Sequence, residues 1–352
     1  MKQKIVFLGD LFYDYDYIAE DMQKIASWIK ENNYVTIVNL EGVICNSHST
    51  GVPIKKRGPN LHGTKTTIDV LKALNVKGVC LANNHMMDFG KEGLEYTIEC
   101  LDSAGIKHTG AGKNIKEALK PMEIEVNNQK VRIFNYGWDV EETVYAKENL
   151  SGCAPRINKL VIETINDNSQ DVDKKVVCMH WGFEYNRLPM PYDIDLAHTM
   201  IYQNIDLIIG HHPHNIQPKE DFENSRIYYS LGNFYFGSRR SRYKRIFKEN
   251  IKNQSDYGLI VIWDIENGTF EEKYIVYDHE KKESSLSDYE EYILENISNV
   301  DYNGRNYYKS AKKRKLKINP ILGTDELKNK QKIQVLYNRY KFRAFIKKLI
   351  RR

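Results

Sequence analysis

Three histidines follow one another closely at the end of an apolar run. They are His211, His212 and His214, and residues 205–210 form the apolar run before them. Imidazole is the commonest protein ligand for zinc and similar ions. Between His212 and His214, an extended backbone stiffened by Pro213 would turn both rings to the same side. The density of these side chains predicts a metal or phosphate site.

Four further apolar runs also end in side chains that can bind metal. They deliver Asp10, Glu41, Asn84 with His85, and His180. Such runs are typical of strands that are buried on both faces. Because strands of α/β folds direct side chains into one crevice at their carboxyl ends, we expect all of these residues to converge.

The residue types indicate which metal such a site would bind. Mixed carboxylate, amide and imidazole ligands suit Mn, Fe or Zn better than Ca or Mg, and the lack of nearby thiolates disfavours structural zinc. A shared carboxylate can bridge two metals about 3.5–4 Å apart, which then bind phosphoryl oxygens during hydrolysis. Two metals are therefore expected for the six candidate ligands, which are Asp10, Glu41, Asn84, His180, His212 and His214.

Three of these positions also have a simpler structural explanation. Asp10 could cap the following helix, Asn83 with Asn84 could form a left-handed turn, and His180 beside Trp181 could be a packed core histidine. All of these explanations would have to be correct for the site to be absent, so their combination is less probable than any one of them.

Short strands and amphipathic helices must position the candidate residues. Apolar spacing predicts helices near residues 17–32, 67–74, 94–104, 156–166 and 194–203. Turn residues predict hairpins within residues 122–134 and 257–277. Residues 226–236 are strand-like with a central Leu-Gly-Asn break. The polar segment 45–66 contains a basic cluster at residues 55–59 and predicts a long loop, which is usually functional or disordered.

Composition limits the class of protein. A chain of 352 residues with 41% hydrophobic and 28% charged residues fits a soluble globular protein with a sizeable core. The five cysteines lack CxxC spacing, and Cys80 and Cys178 lie in apolar runs, so we expect reduced core thiols. Because a membrane-spanning stretch and a signal-peptide pattern are both lacking, we expect a cytoplasmic protein.

The C-terminal region differs in charge from the rest of the chain. Residues 305–352 carry 17 Lys/Arg against two acids, a net of +15, which leaves −10 for the remainder of a chain with net charge +5. The helical pattern at residues 341–352 predicts binding to an anionic membrane surface or an acidic partner. The alternative is a helix that packs on the body with its lysines in solvent. We expect no nucleic acid partner, because the body is acidic and lacks an aromatic-basic platform.

Six motifs in order resemble those of the CapA (poly-γ-glutamate capsule biosynthesis) family, which is itself similar to the calcineurin-like metallophosphoesterases. The similarity runs from about residue 4 to residue 278. The resemblance implies a four-layer α/β/β/α sandwich in residues 1–280, with a dinuclear site between its two sheets. Residues 281–352 lie outside the resemblance, and their own pattern predicts a basic helical C-terminal extension with helices at residues 287–297 and 325–350. The motifs are GD at residues 9–10, NLEG at 39–42, ANNHMMDFG at 82–90, HWGFEY at 180–185, GHHPH at 210–214 and YSLGNF at 229–234.

The resemblance also implies a role for each candidate residue. Asp10 and His214 would bind the first metal, and Glu41 would bridge both metals. The second metal would have three further ligands, namely Asn84, His180 and His212. His85 would be the general acid, with Asp88 orienting it. No role is implied for the remaining motif residues His211, Glu184 and Asn233.

Two positions depart from the phosphoesterase pattern. Phe12 stands where a histidine ligand is expected, so the first metal has one ligand fewer unless Asp14 or a water replaces it. Asn83 stands where a glycine usually precedes the Asn-His pair. The metal-binding surface is otherwise retained.

Two functional hypotheses follow from the sequence. The first is a metal-dependent hydrolase in capsule or surface-polymer biosynthesis, which cleaves a phosphoester or a related carboxyl-derived bond in a small-molecule or polymer substrate. The second is a non-catalytic assembly protein, which the basic tail recruits to a membrane-associated polymer-synthesis complex on the inner face of the membrane.

Overall fold

The computed structural model describes residues 2–44, 50–56, 58–138, 143–239 and 254–287. The predicted C-terminal helices lie almost entirely outside these residues. Helices α1 to α6 are Glu20–Glu31, Thr66–Ala73, Gly90–Ser103, Ile115–Leu119, Asn158–Asp167 and Pro191–Ile201. The five predicted helices are therefore confirmed, with ends that differ by a few residues.

Strands β1 to β6 are Ile5–Phe12, Val35–Leu40, Val43–Ile44, His62–Gly63, Val76–Cys80 and Lys107–Thr109. Strands β7 to β12 are Ala111–Gly112, Met122–Val126, Gln129–Gly137, Gly152–Cys153, Lys174–His180 and Leu207–His211. Strands β13 to β18 are Lys219–Phe222, Ser225–Tyr228, Asn233–Phe236, Tyr257–Asp264, Thr269–Asp278 and Glu283–Ser287. Both predicted hairpins are confirmed, as β8 with β9 and as β16 with β17.

Two mixed sheets form the centre of the molecule. The first has the order β18-β17-β16-β1-β2-β5-β6, and β15 pairs with the end of β1. The second has the order β13-β14-β12-β11-β9-β8. Their central strands run parallel, so the carboxyl ends of several strands meet at one edge of each sheet.

Three apolar layers separate four layers of secondary structure. One layer packs α1, α2 and α3 on the first sheet, for example Ile25 against Leu8. A second lies between the sheets and includes Ile37 and Cys178. The third packs α5 and α6 on the second sheet, for example Met200. Because the centre of each sheet is buried on both faces, central strands such as β1 and β12 are largely apolar runs. The predicted α/β/β/α sandwich is confirmed.

Three local predictions need correction. Residues 226–236 are not one strand, because β14 belongs to the second sheet and β15 to the first. Strand β5 ends at Cys80, so Asn84 and His85 lie in a turn beyond the strand rather than at its end. The first sheet continues past the expected limit of residue 280, because β18 pairs with β17 as far as Ser287.

The buried cysteines match the expectation of reduced core thiols. Cys80 and Cys178 are both free and fully buried, one in each sheet. Among the described residues, no helix combines the length and the apolar character that crossing a membrane requires.

Replacing Gly210 with alanine should destabilise the second sheet beside the candidate site. A Cβ atom at this position would lie 1.8 Å from the backbone oxygen of Tyr229 and 2.6 Å from Nε1 of Trp181. That Nε1 atom donates a hydrogen bond to the same oxygen. We expect a loss of about 1–3 kcal/mol in the free energy of unfolding by urea. Gly58→Ala is the control, because a Cβ there meets no atom within 4 Å. Equal midpoints for both variants would contradict the close packing.

Candidate metal centre

Asp10, Glu41 and His180 converge at the edge where the two sheets meet. Asp10 lies in β1, Glu41 follows β2, and His180 ends β11. One ligand atom from each residue lies within 4.8 Å of those of the other two, and all three residues are buried. This grouping brings together three of the six side chains that the sequence proposes as ligands.

The strand geometry at Asp10 directs its side chain into this group. The pairing of β1 with β2 and with β15 shifts register next to Asp10, and such bulges redirect side chains beside functional sites. Asn39 donates to Oδ1 of Asp10 at 2.8 Å, and the backbone nitrogen of His212 donates to Oδ2 at 3.2 Å. The expectation that Asp10 merely caps the next helix does not hold, because α1 begins at Glu20.

The pKa values of the two carboxylates are shifted in opposite directions. Burial opposes ionisation of Asp10, but contact with the His214 ring and the nearby imidazoles outweighs it, so the pKa of Asp10 is lowered. Burial and the charge of Asp10 raise the pKa of Glu41 well above its ordinary value. A nearby positive charge would favour ionisation of both groups.

The histidine loop does not have the extended backbone that was expected. His212 has φ = 95° and His214 has φ = 54°, both in the left-handed region that non-glycine residues seldom adopt. The two rings nevertheless lie 6.1 Å apart between centroids. Strained backbone of this kind is common at functional sites, where the surroundings hold it in place.

His214 lies between both carboxylates. Its Nδ1 atom is 3.5 Å from Oδ2 of Asp10, and its Nε2 atom is 3.5 Å from Oε1 of Glu41. Nδ1 also lies 2.8 Å from Oδ1 of Asn233, while Nε2 lies 4.0 Å from Oε1 of Glu184. The motif residues Asn233 and Glu184 therefore contact the candidate ligand His214.

Asn84, His180 and His212 form the opposite side of the centre. Nε2 of His180 lies 2.9 Å from Oδ1 of Asn84, and the rings of His180 and His212 lie 4.7 Å apart. Burial lowers the pKa of His180 well below its ordinary value and lowers that of His212 to about 4. Both rings are therefore neutral at neutral pH, which is the form that binds metal.

His85 and Asp88 form a pair next to this group. Nδ1 of His85 lies 2.7 Å from Oδ2 of Asp88, and Nε2 lies 3.9 Å from Oε1 of Glu41. His85 therefore has one ring nitrogen against Asp88 and the other toward the candidate ligands. Burial is the largest influence on His85, and it lowers the pKa of the ring despite the contact with Asp88.

Aromatic side chains occupy the region around Phe12. Its ring lies 5.6 Å from that of Phe236, which in turn lies 5.0 Å from the ring of His214. Asp14, the suggested replacement ligand, instead accepts hydrogen bonds from the backbone nitrogen and the hydroxyl of Ser238. Asp14 therefore anchors the chain after β15, and Phe236 lies beside His214 with Phe12 packed behind it.

Two contributors were missed at the sequence level. Lys56 contacts both His85 and Asp88 with a buried ammonium group. His211, for which no role was assigned, lies with Nε2 at 3.2 Å from the backbone oxygen of Leu8, and so links the two sheets. The basic cluster within the long loop was a signal for Lys56, but its pattern did not indicate burial.

The donor atoms of this group fit a bound divalent cation. Neither carboxylate oxygen of Glu41 has a hydrogen-bond donor among the described residues. Nδ1 of His180 and both ring nitrogens of His212 likewise have no hydrogen-bond partner there. Buried polar atoms without partners are rare, and an ion is one of the few explanations. Two carboxylates with several neutral imidazoles are the ligands that Mn, Fe and Zn prefer.

Comparison with known proteins gives the chain a family. Residues 2–238 match the family described as "Bacterial capsule synthesis protein PGA_cap". The "Capsule biosynthesis protein CapA" of Bacillus anthracis is 29% identical over 238 residues, which cover 66% of this chain and 56% of that protein. The "PGA biosynthesis protein CapA" of Bacillus subtilis (strain 168) is 32% identical over 196 residues, covering 55% of this chain and 52% of that protein. The chain thus spans about half the length of these relatives.

The chain also aligns with solved structures at low sequence identity. A "novel phosphatase" from Mycoplasma pneumoniae aligns with a TM-score of 0.43 and 15% identity, covering 82% of this chain and 92% of that chain. The NAD nucleotidase NadN of Haemophilus influenzae aligns with a TM-score of 0.46 and 13% identity, covering 97% and 60%. Taken with the family match over two thirds of the sequence, the motifs and the four-layer fold lead to one assignment: the chain belongs to the PGA_cap family of bacterial capsule synthesis proteins.

Proposed function

We propose that this protein is a metal-dependent phosphoester hydrolase that acts in the biosynthesis of a capsule or another surface polymer. The observation that carries the proposal is the buried group of Asp10, Glu41 and His180, with ligand atoms within 4.8 Å of one another. Asn84 and His212 would complete the second metal site, and His214 with Asp10 would contribute to the first. The family supports the biosynthetic context.

A divalent cation in this position would polarise a phosphoryl oxygen and favour ionisation of an attacking water. The protein's own residues would prepare the reaction around it. With the cation bound, Glu41 and Asp10 would both be ionised in a buried place, where electrostatic interactions are stronger than in water. Nε2 of His85 faces this group, so a protonated His85 would give its Nε2 proton to the leaving oxygen while its Nδ1–H donates to Asp88.

The phenylalanines beside His214 favour a second candidate function, that of a non-catalytic assembly protein. Phe236 lies beside His214 with Phe12 packed against it, so an aromatic pair stands on the side of the first metal site, where a further ligand would be needed. A protein that binds one cation for structural reasons would tolerate this arrangement. Under this alternative, the basic residues 305–352 would bind an anionic membrane surface or an acidic partner of a polymer-synthesis complex.

Metal content and hydrolysis together test the proposal. We expect the full chain, purified without chelators, to contain a stoichiometric transition metal and to hydrolyse bis-p-nitrophenyl phosphate with added Mn. His212→Ala should lower the hydrolysis rate by at least about 100-fold, because it removes a ligand rather than a supporting group. His108→Ala is the control, because His108 pairs with Asp102 away from the centre. Substoichiometric metal that His212→Ala leaves unchanged would refute the proposal, and bound metal without hydrolysis would favour the assembly role.

A further inference from the structure

The ammonium group of Lys56 is buried beside the His85–Asp88 pair. Its side chain is 2% exposed, whereas the neighbouring Lys55 is exposed. Nζ donates to Oδ1 of Asp88 and, at 3.3 Å, to the backbone oxygen of Asn84. Nζ also lies 2.9 Å from Nδ1 of His85. A buried ammonium is costly unless it is paired and hydrogen-bonded, so these contacts account for its position.

The loop that carries Lys56 also encloses Asp88 through its backbone. The backbone nitrogen of Leu61 donates to Oδ2 of Asp88 at 2.6 Å. The backbone nitrogen of Ile54 donates to the backbone oxygen of Asp88 at 2.9 Å. Each carboxylate oxygen of Asp88 therefore has a donor from this loop. The side chain of Asp88 is 0% exposed, and its negative charge is balanced by Lys56.

These contacts determine how the His85 ring is presented. Nδ1–H of His85 donates to Oδ2 of Asp88 at 2.7 Å, and Nζ of Lys56, 2.9 Å from the same Nδ1, donates to the other oxygen of that carboxylate. The Nε2 atom is consequently turned toward Glu41. Without the ammonium group, the Asp88 carboxylate would be a buried charge with only the Leu61 backbone and the His85 ring as donors, and its hold on the ring would weaken.

We propose that Lys56 is a positioning residue of this centre, which neutralises Asp88 and holds the His85 ring with Nε2 toward the candidate metal ligands. The inference rests on the proposed function, in which His85 gives a proton to the leaving oxygen. It extends the site to a loop outside the six sequence motifs. It also implies that the His85–Asp88 pair adds no net negative charge to a site that would receive an anionic phosphoester.

The test compares Lys56→Met with Lys55→Met, a control from the same loop with an exposed side chain. In the full chain with Mn, Lys56→Met should lower kcat for bis-p-nitrophenyl phosphate about 10–100-fold with little change in KM. In protein labelled with 15N-histidine and loaded with diamagnetic zinc, the ring signals of His85 should shift or broaden. A His85→Gln sample assigns these signals. Lys55→Met should leave both measurements unchanged.

The NMR measurement decides the inference independently of catalysis. His85 signals that stay at their original positions in Lys56→Met would overturn it, and so would a rise in KM with kcat unchanged. A parent protein without hydrolysis would refute the proposed function, while the His85 signals would still test Lys56. Lys56→Gln, which keeps a donor for Asp88 but not the charge, gives the same readouts if the methionine variant fails to fold.

Discussion

Replacing Glu41 with glutamine should maintain or raise the stability of the metal-free protein, and it should remove most of the stability that the parent gains from metal. Glu41 is fully buried, and its carboxylate has no hydrogen-bond donor among the described residues. Without metal, a neutral amide of the same shape should leave the protein as stable as the parent or up to about 3 kcal/mol more stable. With Mn at 100 times its Kd, the parent should gain about 2.7 kcal/mol, and Glu41→Gln should gain much less. Urea unfolding with and without Mn measures both effects.

A surface substitution of the same kind provides the control for Glu41→Gln. Glu163 is exposed and pairs with Lys159 one helical turn away, at 3.5 Å. Glu163→Gln should change stability by less than about 1 kcal/mol in either condition, since exposed ion pairs contribute little. A metal-free Glu41→Gln protein that is less stable than the parent, yet gains as much from Mn, would mean that Glu41 has a structural role and is not a ligand.

The convergence of the carboxylates and His180 could be predicted because strand direction is encoded locally. Apolar runs that end in polar residues indicate buried strands, and parallel strands bring their carboxyl ends to one edge of a sheet. The strands end within two residues of the candidate ligands that the sequence placed at their ends, namely Asp10, Glu41 and His180. For these residues, periodicity and residue type were sufficient.

The backbone beyond the strands could not be predicted in this way. His212 and His214 adopt positive φ values, and Asn84 and His85 lie in a turn that begins after Cys80. Hydrophobic periodicity carries no information about a chain segment that has left its sheet. Tertiary contacts stabilise these conformations instead, such as the bond from the His212 backbone to Asp10.

Sheet membership and loop burial depend on partners that are distant in sequence. Residues 226–236 are apolar on both sides of the Leu-Gly-Asn break, so their alternation does not show that β14 and β15 enter different sheets. Lys56 lies in a polar loop where a lysine is normally solvated, and its burial depends on Asp88, 32 residues later. The phosphoesterase pattern identified Phe12 as a departure, but only the structure shows that Phe236 packs beside it.

Removing the carboxylate of Asp193 should destabilise the second sheet more than any surface substitution. Asp193 and Arg156 form an ion pair at 2.9 Å, and their side chains are 0% and 1% exposed. The guanidinium of Arg156 also lies over the rings of Tyr192 and Trp138, at 4.9 Å and 5.4 Å from their centroids. Asp193→Ala would leave this cation buried without its carboxylate, so we expect a loss of about 3–5 kcal/mol in the free energy of urea unfolding.

An exposed ion pair with the same N···O distance separates the effect of burial from that of the ionic contact. Glu20 and Lys24 are also 2.9 Å apart, but their side chains are 82% and 64% exposed. Glu20→Ala should leave the midpoint of urea unfolding nearly unchanged. The double variant Arg156→Met/Asp193→Leu should be more stable than Asp193→Ala, because it leaves neither charge in the core. Equal losses for Asp193→Ala and Glu20→Ala would mean that the Arg156 cation reaches solvent or another carboxylate, and that burial does not set the strength of this pair.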